Sequence, residues 1–273
     1  MTKPRKTSSC AFIGIRELYK KTTHEAAHNA EARYPPPKCD SNLRGEEIEA
    51  ILSSAHDQNR SRQVLWVKGA AGVGKTAVAQ ACAEMLEKQG RRFAAFFFSR
   101  KDGRMKHRQF FLTVAYQLAA EYPEYRVVLD TKICRDKSIL EHKTMATQLK
   151  SLITDPLEEL RRAGKGTKER IPVFVDAMED CDDSIAKAII DTIADAVMAD
   201  KARILCWIFF SRPGRRIEAV FSCPNLSPFC HHHVLTTWRA PTDEVSTLSA
   251  PPRVWTDQAS VSEQSNDRVT RFC

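Results

Sequence analysis

The chain reads Gly69-Ala70-Ala71-Gly72-Val73-Gly74-Lys75-Thr76 directly after the apolar run Val64–Val67. We call these eight residues the phosphate loop, because they match the pattern G-x-x-x-x-G-K-[ST]. The residues that follow have the apolar periodicity of an amphipathic helix. Glycines let successive backbone N–H groups turn inward, and the N-terminus of a helix attracts anions. The sequence therefore predicts that all eight residues surround the phosphates of a nucleotide.

Two side chains of the phosphate loop have predicted roles of their own. Lys75 is expected to contact the β- and γ-phosphates, and the Thr76 hydroxyl to bind Mg²⁺. A neighbouring strand should supply a carboxylate to the same metal ion. Asp176 suits this role, since it directly follows the apolar run Ile171–Val175. We therefore predict that Thr76 and Asp176 together hold the metal.

Further charged residues follow two of the predicted strands. Glu179 and Asp180 lie in an acidic stretch after Asp176, where either could orient or activate an attacking water. Arg212 follows the apolar run Ile204–Phe210 and could contact the γ-phosphate. The alternatives are a solvated loop with a helix N-cap for the two acids, and a surface arginine in a proline turn for Arg212. We treat these three residues as catalytic candidates.

The rest of the central region alternates short apolar runs with helical patterns. This alternation predicts an α/β fold with a mainly parallel sheet, the three-layer sandwich of a P-loop NTPase. Asp155-Pro156 is typical of the N-cap and first turn of a new helix. The predicted strands are Val64–Val67, Phe93–Phe98, Ile171–Val175, Ile204–Phe210 and a fifth that includes Val234-Leu235.

Composition divides the chain into three parts. Residues 1–38 hold eight Lys or Arg against three Glu and end near Pro35-Pro36-Pro37, which predicts a basic, flexible segment. Residues 39–235 form the predicted nucleotide-binding domain. Residues 236–273 are rich in Thr, Ser, Pro and Asp, and we expect them to be a disordered or truncated tail.

Charge and hydropathy narrow the function classes. The net charge of the 273 residues is +8, and most of the excess lies in residues 1–38, so a nucleic-acid partner is not predicted. No apolar run is long enough to span a membrane, and we expect a soluble, intracellular, cytoplasmic protein with free thiols. Cys223, Cys230 and His231–His233 could form a zinc site, but their spacing matches no pair of zinc ligands, and we expect the histidines to lead into an edge strand.

Taken together, these motifs resemble the NACHT-type nucleotide-binding domain of fungal signal-transduction (STAND) NTPases, in the form called the nephrocystin-3-like N-terminal domain. The resemblance covers about residues 30–235. Two departures are Glu179-Asp180, where that family has Asp-Glu, and Phe210, where it has Thr. After His233 nothing resembles the family's helical and repeat regions. The matching segments are Pro37–Cys39 with Arg44, Leu65–Thr76, Phe96–Arg100, Ala115–Leu118, Asp176–Cys181 and Ser211–Pro213.

The resemblance implies a nucleotide-binding switch domain of a signalling protein, with ATP (GTP as the alternative) and Mg²⁺ as cofactors. It also implies protein partners or self-association. Slow Mg²⁺-dependent hydrolysis and a non-hydrolysing interaction scaffold both stay open, and a small-molecule kinase is a third alternative. The upstream signal, the effector and the oligomeric state do not follow from the sequence.

Overall fold

Helices and strands alternate along the chain in a computed structural model, which describes residues 12–39, 41–57, 63–99, 106–199 and 204–236. The strands are β1 (Val64–Lys68), β2 (Ala94–Phe97), β3 (Ile171–Asp176), β4 (Leu205–Ser211) and β5 (Cys230–Val234). The helices are α1 (Ile13–Lys20), α2 (Ser41–His56), α3 (Lys75–Lys88), α4 (Phe110–Glu121), α5 (Pro123–Arg135), α6 (Met145–Gln148), α7 (Asp155–Arg162), α8 (Asp183–Met198) and α9 (Arg215–Phe221).

The five strands form one sheet in the order β2-β3-β4-β1-β5, and every neighbouring pair is parallel. Parallel neighbours require long crossovers, which the intervening helices supply. In this order β4 lies between β1 and β3. The carboxyl ends of all strands therefore lie at one edge of the sheet, where the loops after β1, β3 and β4 are neighbours.

Successive side chains along each strand point to opposite faces of the sheet and therefore belong to two different hydrophobic clusters. In β1, Trp66 belongs to one cluster, whereas Leu65 and Val67 belong to the other. The Leu65 cluster also holds apolar residues of α2 and α3, and the Trp66 cluster holds those of α1, α4, α5, α7, α8 and α9. Helices thus cover both faces, as expected for strands that are apolar throughout. The predicted three-layer α/β fold is confirmed.

Trp66 connects β1 to β4 inside the core. Its ring is fully buried and stacks on Phe221 with 4.7 Å between ring centroids. Its Nε1 donates a hydrogen bond of 2.8 Å to the Ser211 hydroxyl, which is also fully buried. A buried indole N–H needs such a partner. This bond ties the end of β4, and so the start of the loop that carries Arg212, to the strand before the phosphate loop.

Ser211→Ala is expected to lower the free energy of unfolding by about 1–3 kcal/mol, because it leaves the Trp66 N–H buried without a partner. Urea unfolding of the variant beside Ser222→Ala, which removes an exposed hydroxyl nearby, measures the effect. Equal stability of the two variants would contradict the assigned hydrogen bond.

The N-terminal segment, residues 12–39, overlaps the part of the chain that we predicted to be flexible, residues 1–38. It forms α1 and two 3-10 turns, His24–Ala26 and Glu31–Arg33. Leu18 of α1 is fully buried, and the Ile15 N–H donates to the Asp130 carboxylate of α5 at 3.0 Å. The average composition is basic, but the few apolar residues lie on one helical face and reach the core. Residues 1–11 lie outside the described residues, as do residues 237–273 of the predicted tail.

The helical run at α6 and α7 corrects the prediction of a new helix at Asp155-Pro156. A π-helical segment, Leu149–Thr154, joins α6 to α7, and Asp155 itself has helical dihedral angles. Pro156 lacks the N–H that would bond to the carbonyl four residues earlier, that of Leu152. The buried Tyr125 hydroxyl of α5 donates to this carbonyl instead. A tertiary contact therefore carries the helix through the proline.

Candidate functional site

The phosphate loop runs from the end of β1 to the start of α3. Gly74, immediately before α3, has a φ of 92°, a left-handed conformation that favours glycine. A Cβ on Gly69 would lie 2.7 Å from the carbonyl oxygen of Leu235, so that position also requires glycine. The two glycines therefore serve different needs. Gly74 turns the backbone into the helix, and Gly69 lets the segment after β5 pass against the loop.

Lys75 extends its side chain back into the loop. Its Nζ donates to the carbonyl oxygens of Gly69 at 2.8 Å and Ala70 at 2.9 Å. The residue is 8% exposed, and burial lowers the pKa of its ammonium group. Lys75 thus holds a positive charge within the ring of backbone atoms that the sequence assigned to phosphate binding.

Arg44 of α2 orients the loop from outside. Its Nη2 donates to the carbonyl oxygens of Val73 at 3.1 Å and Thr236 at 2.7 Å, and its Nη1 pairs with Glu47 at 2.9 Å. The C=O and N–H of a trans peptide point in opposite directions. Arg44 therefore turns the Gly74 N–H away from itself and holds it in that direction.

Asp176 ends β3 beside the start of α3. Its carboxylate is 2% exposed and accepts a hydrogen bond from the Thr76 hydroxyl, and the Ala177 N–H beside it donates to the Phe210 carbonyl at 3.1 Å. Burial raises the pKa of Asp176 to about 6, although the bond from Thr76 and the charge of Arg33 act in the opposite direction. The structure thus brings together the two predicted metal-binding residues.

Glu179 and Arg212 form an ion pair across the ends of β3 and β4, with 3.3 Å between Arg212 Nε and Glu179 Oε1. Both charges act on the ammonium of Lys75. The second carboxylate oxygen of Glu179 is buried and has no hydrogen-bond partner among the described residues. Asp180 is half-buried in the same 3-10 turn, Met178–Asp180. The structure thus places Glu179, Arg212 and Lys75 in one crevice.

The donors at this crevice fit a hard divalent cation. Mg²⁺ prefers oxygen ligands and is usually held by one or two protein oxygens together with phosphate oxygens. Thr76 supplies a hydroxyl and Asp176 a carboxylate, and the buried Glu179 Oε2 leaves a further acceptor nearby. These residues are the ones that would hold Mg²⁺.

The profile of the family described as nephrocystin 3, N-terminal, matches residues 38–212, well over half of the chain. The chain belongs to this family. The matched region of the nephrocystin 3 N-terminal domain begins before α2 and ends at Arg212, so it contains the phosphate loop, Asp176 and Glu179. The α1 helix and β5 lie outside it.

No curated protein matches this chain significantly. Among solved structures, it is similar to a chain of Drosophila ORC bound to GC-rich DNA and Cdc6, with a TM-score of 0.42, 10% identity and 88% of our chain covered. A chain of Drosophila ORC bound to AT-rich DNA and Cdc6 gives 0.41, 12% and 89%. Our chain spans 35% and 36% of these two chains.

Arg33 is the residue at this site that the sequence patterns missed. It lies outside the matched region, in the 3-10 turn Glu31–Arg33, and its charge acts on Asp176. Its guanidinium carbon is 3.5 Å from the centre of the Phe97 ring. No motif surrounds it, and its segment resembles a solvated basic tail. Only the docking of that segment brings Arg33 to the end of β3.

Two other sequence interpretations are placed by the structure. His231–His233 lie in β5, at the edge of the sheet, as the edge-strand interpretation expected. Within the described residues, these histidines do not join Cys223 and Cys230 in a group of three or more side chains that could hold a metal. Of the helices in the described ranges, none combines the length and the apolar character needed to cross a bilayer.

Proposed function

We propose that this domain binds ATP, with GTP as the alternative, together with Mg²⁺, as the switch of a signalling protein. One observation carries the proposal. The carboxyl ends of β1, β3 and β4 bring a glycine-rich loop with Lys75, the Thr76–Asp176 pair and Arg212 to one crevice. Ligands of open parallel sheets bind in this position.

Each residue of the crevice has a distinct part in the proposed binding. The N–H groups of the phosphate loop and the start of α3 donate to phosphate oxygens. Lys75 leaves its two loop carbonyls and pairs with phosphate charge. Thr76 and Asp176 hold Mg²⁺, which when bound would neutralise charge on the phosphate oxygens. The other six loop residues leave room for the phosphates, because three of them are glycines and two are alanines, which have small side chains or none.

Slow hydrolysis is the activity that we propose for the bound nucleotide. In this proposal Glu179 accepts a proton from an attacking water, and Arg212 stabilises negative charge. The ion pair between Glu179 and Arg212 favours the second candidate function, a non-hydrolysing interaction scaffold. Glu179 Oε1 already contacts Arg212 and is therefore less available to accept a proton from water. In either case, protein partners or further copies of the chain would respond to the nucleotide.

Glu179→Gln is expected to reduce phosphate release about 100-fold or more, because a general base contributes about 10²–10⁴-fold to a rate. The affinity for a fluorescent ATP analogue should stay within about threefold of the wild-type value, since the groups of the phosphate loop that are proposed to bind phosphates are unchanged. Single-turnover phosphate release measures the effect, with Glu218→Gln, an exposed residue of α9, as the matched control.

The outcomes separate the two candidate functions. Phosphate release by wild type no faster than that of Asp176→Asn would support the scaffold. Release above that level, but unchanged in Glu179→Gln, would assign the base elsewhere. The binding proposal is tested by titrating a fluorescent ATP analogue with and without Mg²⁺. Wild-type affinity as weak as that of Lys75→Ala would overturn it.

A further inference from the structure

The Arg33 side chain is hydrogen-bonded to α3, the helix that follows the phosphate loop. Its Nη2 donates to Gln80 Oε1 at 3.1 Å, and the Gln80 amide nitrogen donates to the carbonyl of His28 at 3.0 Å and to Glu84 at 2.9 Å. Gln80 is 3% exposed, so these bonds are shielded from water. They hold the Arg33 side chain in place against α3.

The position of Arg33 follows from the register of the sheet and from the helix period. Phe97, on which the guanidinium lies, is paired with Asp176 in the β2–β3 ladder. Gln80 lies four residues after Thr76, on the same face of α3. Both anchors are therefore neighbours of the Thr76–Asp176 pair. Because β2 lies beyond β3, Arg33 lies on the side of Asp176 away from the phosphate loop.

The donors of Arg33 are largely unused. A guanidinium has five N–H donors in a planar fork. Within the described part of the chain, its guanidinium makes one side-chain hydrogen bond, to Gln80, and the buried Nε has no hydrogen-bond partner. No described carboxylate lies within salt-bridge distance, whereas Arg212 is paired with Glu179. Three cations (Lys75, Arg33 and Arg212) therefore face two carboxylates (Asp176 and Glu179), which leaves one excess positive charge among these five residues.

We propose that Arg33 is a ligand of the terminal phosphate of the bound nucleotide and makes the site prefer triphosphates to diphosphates. The inference rests on the proposed function. The phosphate loop and Lys75 surround the phosphates nearest to β1. The Thr76–Asp176 pair would hold the Mg²⁺ that neutralises charge on the phosphates farther along the nucleotide. A guanidinium beyond that pair can meet only the last phosphate, to which its planar fork is suited.

The test compares the affinities of the folded chain for an ATP analogue and for ADP, both with Mg²⁺. Arg33→Gln keeps a group able to bond to Gln80 but removes the charge. It should weaken binding of the triphosphate about tenfold or more, because a hydrogen bond to a charged group is lost. Binding of ADP should change less than about twofold. Arg16→Gln, an exposed arginine of α1, removes the same charge as a matched control.

Arg33→Lys provides a second measurement if Arg33→Gln does not fold. It keeps the charge but loses the fork, and its ratio of ATP to ADP affinity should fall between those of wild type and Arg33→Gln. Equal weakening of ATP and ADP binding, or no change in either, would overturn the role of Arg33 while leaving nucleotide binding intact. Absence of wild-type binding to either nucleotide would overturn both proposals.

Discussion

Lys75→Ala is expected to weaken binding of a fluorescent ATP analogue by about 10- to 100-fold, because charge-assisted hydrogen bonds of a buried cation are worth about 1.5–3 kcal/mol. The ammonium lies inside the phosphate loop, where its hydrogen-bond partners among the described residues are two backbone carbonyls. Phosphate oxygens would replace those carbonyls and supply the opposite charge. The loss should therefore appear mainly in affinity and only weakly in stability.

Lys88→Ala is the matched control for this variant. It removes the same charge from the other end of the same helix, where the lysine is exposed. Thermal unfolding of both variants checks that the domain stays folded. If both bind the analogue as wild type does, then Lys75 takes no part in nucleotide binding.

Asp176→Asn is expected to stabilise the nucleotide-free domain at pH 7 by about 3 kcal/mol and to remove Mg²⁺-dependent binding. Burial raises the pKa of Asp176 from 3.8 to about 6. A shift of about two pKa units corresponds to about 3 kcal/mol between the two protonation states. The folded state holds the extra proton, so stability from this group is present below pH 4 and is lost as pH rises through 6. The amide avoids the cost of burying the charge.

Urea unfolding between pH 4 and pH 8 tests this prediction. The stability difference between Asp176→Asn and wild type should be near zero at pH 4 and should reach its full value above pH 6. Asp195→Asn, which changes an exposed carboxylate of α8, is the matched control. A destabilised Asp176→Asn variant at pH 7 would mean that the ionised carboxylate supports the fold. If Asp176→Asn both stabilises the nucleotide-free domain and loses Mg²⁺-dependent binding, then the ionised Asp176 lowers stability and is needed for binding.

The phosphate loop, β3 with Asp176 and β4 with Arg212 could be identified from local patterns. Each combines an apolar run with polar or glycine residues at its end, and each pattern lies within a short stretch of sequence. The parallel sheet follows from the alternation of such runs with helices. Even Glu179, whose role stays a prediction, was identified through its distance from a strand end.

Other features depend on contacts between distant segments, which a local pattern does not encode. Tyr125 carries a helix past Pro156 because its hydroxyl reaches the Leu152 carbonyl from another helix. Arg44 reaches both the phosphate loop and the backbone after β5. These bonds join residues separated by 27 to 192 positions, so no periodicity or spacing signals them.

The division between the two sources of information is clearest at the N-terminal segment. Local sequence patterns were enough to predict a parallel α/β sheet, the phosphate loop and the position of Asp176, because strand, turn and helix preferences act between near neighbours. Folding alone brought Arg33 beside Asp176, since a few apolar side chains such as Leu18 dock a segment whose overall composition is that of a solvated tail. Burial of those side chains, and not the charge of the segment, places its arginine at the site.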